Sequence, residues 1–302
     1  MIKNRNIKES KSDYLFIGIN YIFLALALIL TLYPMIYVLS ASISDPYMVN
    51  SGNMWLLPKG ITFEGYDKVI QNKDIYTGYL NTIFYTVAGT AVSLAITLPC
   101  AYALAKKKLP GKKLVTSLFM FTMFFSGGLI PLYLLIKDLN MLDSRWAILL
   151  PTAASFWNII ITRTFLQSTI PEGLEEAAEI DGCNTFGKFF KIILPLSAPI
   201  IAVMALFYGV GRWNSYFNEM IFLSDRNKFP LQVFLREILI IAQMNSNENI
   251  STTELATMAE QARIGDIMKY AIMIVSTLPI ICVYPFLQRY FVKGVMIGSI
   301  KG

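Results

Sequence analysis

Six long apolar stretches constrain what this chain can fold into more than any other feature of its sequence. A helix needs about 20 mostly apolar residues to cross a bilayer, and a soluble core has no room for so many such segments. The stretches cover residues 14–39, 79–105, 114–136, 146–166, 196–223 and 270–292. The fourth is interrupted by Pro151, Ser155 and Asn158. The pattern predicts an all-α integral membrane protein with six transmembrane helices.

The composition supports a membrane protein and excludes most catalytic chemistry. Of the 302 residues, 55% are apolar or aromatic and only 15% are charged, whereas soluble domains carry about 25% charged residues. Histidine is absent, which removes imidazole catalysis and imidazole metal ligation. The three cysteines, Cys100, Cys183 and Cys282, are too far apart to indicate a disulfide framework or a CxxC metal site. We therefore expect neither a catalytic residue nor a metal site.

Basic residues at the ends of the apolar stretches predict the orientation of the chain. Four precede the first stretch, and five lie between the second and third, where there is no acid. The loop between the third and fourth stretches carries only Lys137 and Arg145. Basic loops stay in the cytoplasm, so both termini are predicted to lie there. The net charge of +6 thus faces an anionic bilayer surface, and we expect no nucleic acid partner.

This topology divides the chain into segments on the two sides of the membrane. The predicted segments are a cytoplasmic N-terminal segment (1–13), a membrane domain (14–292), a cytoplasmic tail (293–302), outer loops (41–78 and 224–267) and a cytoplasmic loop (167–195). Within the third apolar stretch, Gly127 and Gly128 before Pro131 are the strongest signal for a helix break. We expect a short amphipathic helix near residues 64–70 and a capped helix opening at Ser251.

The loop at residues 167–195 is the one predicted cytoplasmic segment that is rich in acids. Pro171 can start a helix, and the glutamates that follow suit the positive end of a helix dipole. Small and apolar residues then recur at the i, i+3, i+4, i+7 spacing of one helix face, at Leu174, Ala177, Ala178 and Asp181. Gly182 is expected to end this helix in a left-handed conformation.

A second short helix is predicted directly after Gly182. Asn184 or Thr185 can cap it, and its aromatic and aliphatic residues share one face, at Phe186, Phe189, Phe190 and Ile193. The loop is therefore predicted to be a helix–glycine–helix hairpin. Such a hairpin can lie against the membrane or its own bundle, but its acids favour a protein partner over an anionic lipid surface.

The hairpin also carries a recognisable motif. Glu176-Ala177-Ala178, three residues, Gly182, nine residues and then Ile192-x-Leu194-Pro195 resemble the EAA motif of ABC importer permeases at every defined position. Residues 284–302 are similar to the end of carbohydrate-uptake permeases, and most similar to the LplC/YtcP-like group that serves complex oligosaccharides. Leu57-Pro58-Lys59 with Gly65-Tyr66 resembles the first outer loop of that group, and Asn81 resembles the asparagine opening its second span.

The resemblance implies the permease subunit of an ATP-driven oligosaccharide importer. It implies as partners a second homologous permease, two cytoplasmic ATPase subunits that bind ATP and Mg, and an extracytoplasmic solute-binding protein. This chain would itself bind no cofactor. The residues implied in coupling to an ATPase are Leu174, Glu176, Ala177, Ala178, Asp181, Gly182, Phe186, Ile192, Leu194 and Pro195. In this role Glu176 would pair with a basic residue of the ATPase.

Residues 182–188 imitate a different motif. Gly182 to Lys188 satisfies GxxxxGK, the first part of a phosphate-binding loop. The next residue is Phe189 rather than Ser or Thr, and a predicted helix precedes it where a strand is required. We therefore assign nucleotide binding to another chain.

Polar residues in the fifth apolar stretch are candidates for a translocation path or gate. They are Arg212, Trp213, Asn214, Tyr216, Asn218 and Glu219, and Asn81 in the second stretch joins them. Charges at membrane depth commonly face a cavity or a partner, and aromatic rings can stack on sugars. The alternative is that this helix is already near the outer interface, where Trp and Tyr anchor and Arg snorkels.

A self-sufficient secondary carrier or channel is the competing function. A secondary carrier is expected to show inverted repeats and ionisable residues at the midplane. The sequence shows no convincing repeat, and Arg212 with Glu219 is the only candidate pair.

Overall fold

The computed structural model describes residues 10–107, 109–244, 263–283 and 285. Within these residues the regular elements are helical and no strand occurs, which confirms the all-α prediction. The helices are α1 (Lys11–Ser42), α2 (Pro46–Asn50), α3 (Glu64–Gln71), α4 (Lys73–Ala105), α5 (Lys112–Phe124), α6 (Leu129–Asp138), α7 (Arg145–Leu149), α8 (Phe156–Thr169), α9 (Glu172–Ile180), α10 (Thr185–Lys188), α11 (Leu194–Leu196), α12 (Ala198–Trp213), α13 (Phe217–Phe222), α14 (Leu231–Met244) and α15 (Arg263–Val283). A π-helical turn (Phe189–Ile193) joins α10 to α11.

Three helices of the described residues are long and apolar enough to cross a membrane, namely α1, α4 and α15. Two bent pairs pass the same test, α5 with α6 at 113° and the segment Thr185–Leu196 with α12 at 79°, which raises the count to five. The predicted six spanning helices are therefore not confirmed. The fourth stretch is divided by a turn around Pro151, and the 14 residues of α8 reach only about 21 Å at 1.5 Å per residue.

The third apolar stretch is broken where its glycines predicted a break. α5 ends at Phe124 and α6 begins at Leu129. Gly128 has φ 86°, a left-handed backbone conformation that residues other than glycine rarely adopt. The fifth stretch is also divided, because α12 ends at Trp213 and α13 begins only at Phe217.

The segments outside the apolar stretches are more helical than expected. α4 begins at Lys73 and α15 at Arg263, several residues before the corresponding stretches. The predicted amphipathic helix near residues 64–70 is α3, and α14 occupies much of the second outer loop. The predicted helix opening at Ser251 and the C-terminal tail lie outside the described residues.

Internal contacts divide the chain into two units. The first comprises Met1–Gln71 and Ile238–Val275. In it α1 exposes its large apolar side chains almost throughout, as expected of a helix that faces lipid. α3 approaches α15 closely, because a Cβ added to Gly65 would lie 2.5 Å from the backbone oxygen of Ile267.

The second unit comprises Asn72–Glu237 and Ser276–Gly302, and α4 is its central helix. α4 packs along both α8 and α12. The hydroxyl groups of Thr97 on α4 and Tyr208 on α12 lie 2.7 Å apart and share a hydrogen bond inside this packing. Near the C-terminal end of α4, Ala101, Tyr102 and Leu104 form an apolar cluster with residues of α8 and of the π-helical turn. This cluster supports the acidic hairpin from one side.

The contact at Gly65 predicts that even one methyl group destabilises the first unit. Gly65→Ala is expected to cost about 1–3 kcal/mol of folding free energy, because the added Cβ meets backbone that cannot rotate away. Gly18→Ala is the matched control, since a Cβ at Gly18 meets nothing within 4 Å. The measurement is the apparent melting temperature of each purified variant in nanodiscs. Equal melting temperatures for the two variants would contradict this packing.

Candidate functional site

The first half of the acidic hairpin folds as the sequence predicts. α9 follows Pro171 as its N-cap residue and ends with Asp181 as its C-cap residue. Gly182 has φ 75°, the Gly182 amide donates to the Glu179 carbonyl at 3.0 Å, and the Cys183 amide donates to the Ala178 carbonyl at 2.9 Å. These two bonds form a Schellman motif, which explains why the chain has glycine at this turn.

The second half has one of its two predicted caps, but its predicted apolar face is divided. Asn184, rather than Thr185, caps α10, because its side-chain oxygen accepts a hydrogen bond from the Gly187 amide at 2.7 Å. The helix then widens into the π-helical turn just before Pro195, which has no N–H to continue the α-helical ladder. The predicted common face is therefore divided: Ile193 is buried and Phe189 half-buried, whereas Phe186 and Phe190 are exposed.

The predicted coupling residues of the hairpin differ in their exposure. Leu174, Glu176, Ala177 and Asp181 are exposed, whereas Ala178 is turned inward and buried. In the second half of the hairpin, Ile192 and Leu194 are half-buried and Pro195 is exposed. The structure also exposes Ile180, 87% accessible, which the sequence pattern did not single out.

Polar contacts hold the hairpin against the body of the second unit. Lys106, directly after α4, forms an ion pair with Glu175 of α9. Within the hairpin, Lys188 forms an ion pair with Glu179. The side-chain amide of Gln167 on α8 donates to the Ala105 carbonyl at 3.1 Å. The lysine of the GxxxxGK imitation is thus turned inward to a glutamate.

Arg212, a predicted path residue, is buried and bound to backbone. Its guanidinium donates to the carbonyls of Ile148 at 2.9 Å and Leu149 at 3.1 Å. These carbonyls end α7, where the helix dipole is negative and no intrahelical donor remains. Gly89 on α4 leaves room for this side chain, because a Cβ there would lie 2.8 Å from Arg212 Nε. Arg212 therefore closes the break in the fourth apolar stretch.

Three other predicted path residues are also buried in protein contacts. Trp213 Nε1 donates to the Ser276 carbonyl at 2.9 Å. Glu219 accepts a hydrogen bond from the Ser215 hydroxyl at 2.9 Å. The side-chain amide of Asn81 donates to the carbonyl oxygens of residues 227 and 229, at 2.7 and 3.1 Å. These bonds tie separate segments of the second unit together.

The remaining path candidates are more accessible. Asn214 is exposed, and Tyr216 and Asn218 are half-buried. The ring of Tyr216 lies under the guanidinium of Arg236, 5.0 Å from its centroid. A role in lining the path stays a prediction for all seven residues, and solvent access favours Asn214, Tyr216 and Asn218 among them.

Asp143 organises the loop between α6 and α7 and was not singled out from the sequence. Its carboxylate accepts hydrogen bonds from the backbone amides of Ser224 and Asp225, each at 3.0 Å, and from Lys228 Nζ at 2.8 Å. The bond from Lys228, followed by the two backbone bonds, lowers the pKa of Asp143 from 3.8 to about 2. No local pattern marks this residue, because Lys228 lies 85 positions away in sequence.

Among the described residues, no group of three or more Cys, Asp or Glu side chains could hold a metal ion. The hairpin instead exposes apolar side chains, and Arg212 of α12 binds the carbonyls at the end of α7, where the fourth apolar stretch is broken. The first is suited to contact with another macromolecule. The second is suited to holding helices that cannot complete their own hydrogen bonds.

Comparisons with known proteins agree on one family. Residues 6–297 match the family model described as binding-protein-dependent transport system inner membrane component. Protein LplC of Bacillus subtilis (strain 168) is 39% identical over 302 residues, covering 100% of both chains. The polygalacturonan/rhamnogalacturonan transport system permease protein YtcP of the same organism is 41% identical over 282 residues, 93% of this chain and 96% of that protein.

A solved structure is similar along nearly the whole chain. It is a crystal structure of a bacterial ABC transporter involved in the import of the acidic polysaccharide alginate. The matched chain is 37% identical, with a TM-score of 0.83 over 94% of this chain and 99% of that one. The arrangement of helices described above is therefore shared with an importer.

Burial of Arg212 predicts a structural defect when it is replaced. Arg212→Met leaves two buried carbonyls without their donor, at about 1–3 kcal/mol for each group. We expect a markedly lower apparent melting temperature, whereas the control Asn214→Ala, at an exposed residue, is expected to leave it unchanged. If Arg212→Met kept the wild-type melting temperature and lost only transport, Arg212 would line the path instead.

The Asp143 contacts predict a defined pH dependence. Because folding lowers the pKa of Asp143 from 3.8 to about 2, its contribution to stability is present above pH 4 and is lost as the pH falls through about 2. Asp143→Asn is therefore expected to lower the melting temperature equally from pH 8 to pH 5, with the difference shrinking below pH 4. Asp138→Asn, at an exposed acid, is the control. A difference that persisted at pH 2 would contradict the ion pair.

Proposed function

This chain belongs to the family of binding-protein-dependent transport system inner membrane components, and we propose that its acidic hairpin is the site where a cytoplasmic ATPase binds. It is a permease subunit of an ABC importer rather than an enzyme, as its family and its relative YtcP are described. An importer of this kind works with a partner permease, an ATPase and a binding protein.

The observation that carries the proposal is the apolar exposure of the hairpin. Ile180 is 87% exposed and Phe186 is 76% exposed, and they flank the turn at Gly182. Large apolar side chains that are exposed together mark a site of contact with another protein. Glu176 and Ala177 are exposed beside them on α9. The Glu176 carboxylate can pair with a basic residue of the partner, and the small Ala177 allows the partner to approach closely. A helix with these features suits binding in a groove of another protein.

The proposed assembly places the hairpin in the cytoplasm. The basic segments before the first apolar stretch and between the second and third support this orientation, with both termini inside the cell. One homologous permease, two ATPase subunits and one extracytoplasmic binding protein would form the complex with this chain. ATP and Mg would be held by the ATPases, and this chain would hold no cofactor.

The proposed mechanism converts closure of the ATPases into alternating access. Two hairpins, one from each permease, move together when the ATPases close on ATP. A ligand shifts such an equilibrium only by binding its states with different affinity, and here ATP and the loaded binding protein both do so. The division between α12 and α13 and the break at Gly128 are places where the bundle can bend.

We propose an oligosaccharide as the cargo. The relatives named for their cargo support it, since YtcP is named for polygalacturonan and rhamnogalacturonan and the solved transporter for alginate. A relative of Halalkalibacterium halodurans, 26% identical, is named for arabinooligosaccharides. The accessible Asn214 and Tyr216 offer an amide and an aromatic face, the two chemistries that sugar rings commonly meet. The self-sufficient carrier or channel is not favoured, because the family works with separate energising subunits.

The docking proposal predicts which substitutions release the ATPase. Glu176→Lys places a cation where a basic partner residue is expected, and we expect it to remain in the membrane but to lose the ATPase and uptake. Lys113→Glu is the matched control, because it makes an equal and opposite change of charge at an exposed residue of another cytoplasmic loop. The measurement is copurification of the ATPase from membranes. Copurification at the wild-type level with Glu176→Lys would refute the assigned role.

Substitution of Gly182 is a second test, because it would alter the bend of the hairpin without creating a steric clash. A Cβ at Gly182 meets nothing within 4 Å, so its φ of 75° is the only obstacle to a side chain. A left-handed backbone costs most side chains about 1–2 kcal/mol and is easier for Asn. We expect Gly182→Leu to weaken copurification and Gly182→Asn to retain most of it. Equal behaviour of both variants would show that the bend is not needed.

A further inference from the structure

The structure describes three acidic side chains of α9, and two of them are bound to lysines of this chain. Glu175 and Glu179 lie one helical turn apart and share a face, and Ala178, buried, lies between them. Both are ion-paired within the chain, Glu175 to Lys106 and Glu179 to Lys188. Glu176, next to Glu175 in the helix, is exposed. Two glutamates of α9 are thus bound to lysines of this chain, whereas Glu176 is accessible to a partner.

Of the two lysines that bind these glutamates, Lys188 is buried and Lys106 is half-buried. Lys188 is 4% exposed, although lysine is almost never fully buried without a partner. The ammonium of Lys106 also lies 4.5 Å from the centre of the Tyr102 ring. Burial, followed by the charge of Lys188, lowers the pKa of Lys106. The two ion pairs therefore form one cluster of charges rather than two separate surface contacts.

The cluster connects three elements. Lys106 follows the last residue of α4, Glu175 and Glu179 belong to α9, and Lys188 ends α10. The Tyr102 ring on α4 lies 5.5 Å from the Phe189 ring of the π-helical turn. The Lys106–Glu175 ion pair joins α9 to the residue that follows α4, so a movement of α9 bears on α4 through this contact.

We propose that Lys106 and Glu175 are positioning residues that transmit the movement of the hairpin to α4 during import. This inference rests on the proposed docking of the hairpin on an ATPase. α4 runs for 33 residues without a break in its helix, so a displacement at Lys106 can reach the opposite end of the membrane domain. Glu176 would be held by the ATPase and Glu175 by the lysine that follows α4, from adjacent positions of the same helix.

The test compares ATP hydrolysis with substrate import in proteoliposomes that contain the complete importer. Lys106→Gln and Glu175→Gln are expected to keep the ATPase bound and hydrolysing. Both variants are expected to raise the ATP consumed per imported substrate molecule about threefold to fivefold. The effect is limited to this size because the ion pair is partly exposed to solvent. The exchanged pair Lys106→Glu with Glu175→Lys is expected to restore the ratio. Lys113→Gln, at an exposed residue in the first turn of α5, is the control and is expected to leave the ratio unchanged.

Three results would overturn the proposal. The first is an unchanged ratio in both single variants. The second is a double variant, Lys106→Gln with Glu175→Gln, whose effect is the sum of the two single effects, because partners in one contact are not additive. The third is loss of the ATPase from either single variant, which would place the pair in docking instead. Failure of the unaltered chain to copurify with any ATPase would contradict the docking proposal itself, so the two failures are distinguishable.

Discussion

The packing of α4 along α8 and α12 is the interaction on which the rest of this structure depends. In the first half of α4, the Tyr85 hydroxyl donates to the Lys228 carbonyl at 3.0 Å. In the middle, Gly89 leaves space for Arg212. At the other end, Tyr102 and Lys106 contact the hairpin. A single unbroken helix therefore touches both the loops at one end of the membrane domain and the proposed ATPase contact at the other.

The second constraint is that backbone polar groups inside a bilayer must find partners within the protein. Three of the apolar stretches are interrupted, and every interruption frees carbonyls and amides. Arg212 donates hydrogen bonds to the carbonyls that end α7. Gly128 adopts a left-handed conformation at the break before α6. A charged residue at membrane depth, which suggests transport at first sight, here completes the hydrogen bonding of a broken helix.

Local rules predicted the hairpin better than they predicted the bundle. Gly182 as the turn, Asn184 as one of two possible caps and the break at Gly127–Gly128 follow from the chemistry of a few neighbouring residues, and the structure agrees. The bonds of Arg212 were beyond such rules, because its carbonyl partners lie about 64 positions away in the chain. The exposure of Ile180 was missed because this residue lies off the helix face that the i, i+3, i+4, i+7 spacing picks out. The six-helix count is not confirmed, because hydropathy does not register a turn within an apolar stretch.

A photo-reactive residue placed at position 180 measures whether α9 meets an ATPase in the assembled importer. Ile180 is the most exposed large apolar side chain of the hairpin, so substitution there leaves the internal packing intact. Illumination of membranes that contain the whole complex is predicted to join this chain to the ATPase, and a probe at position 113 is predicted not to do so. Cross-links from position 180 only to the extracytoplasmic binding protein, to lipid or to this chain itself would contradict the proposed grip.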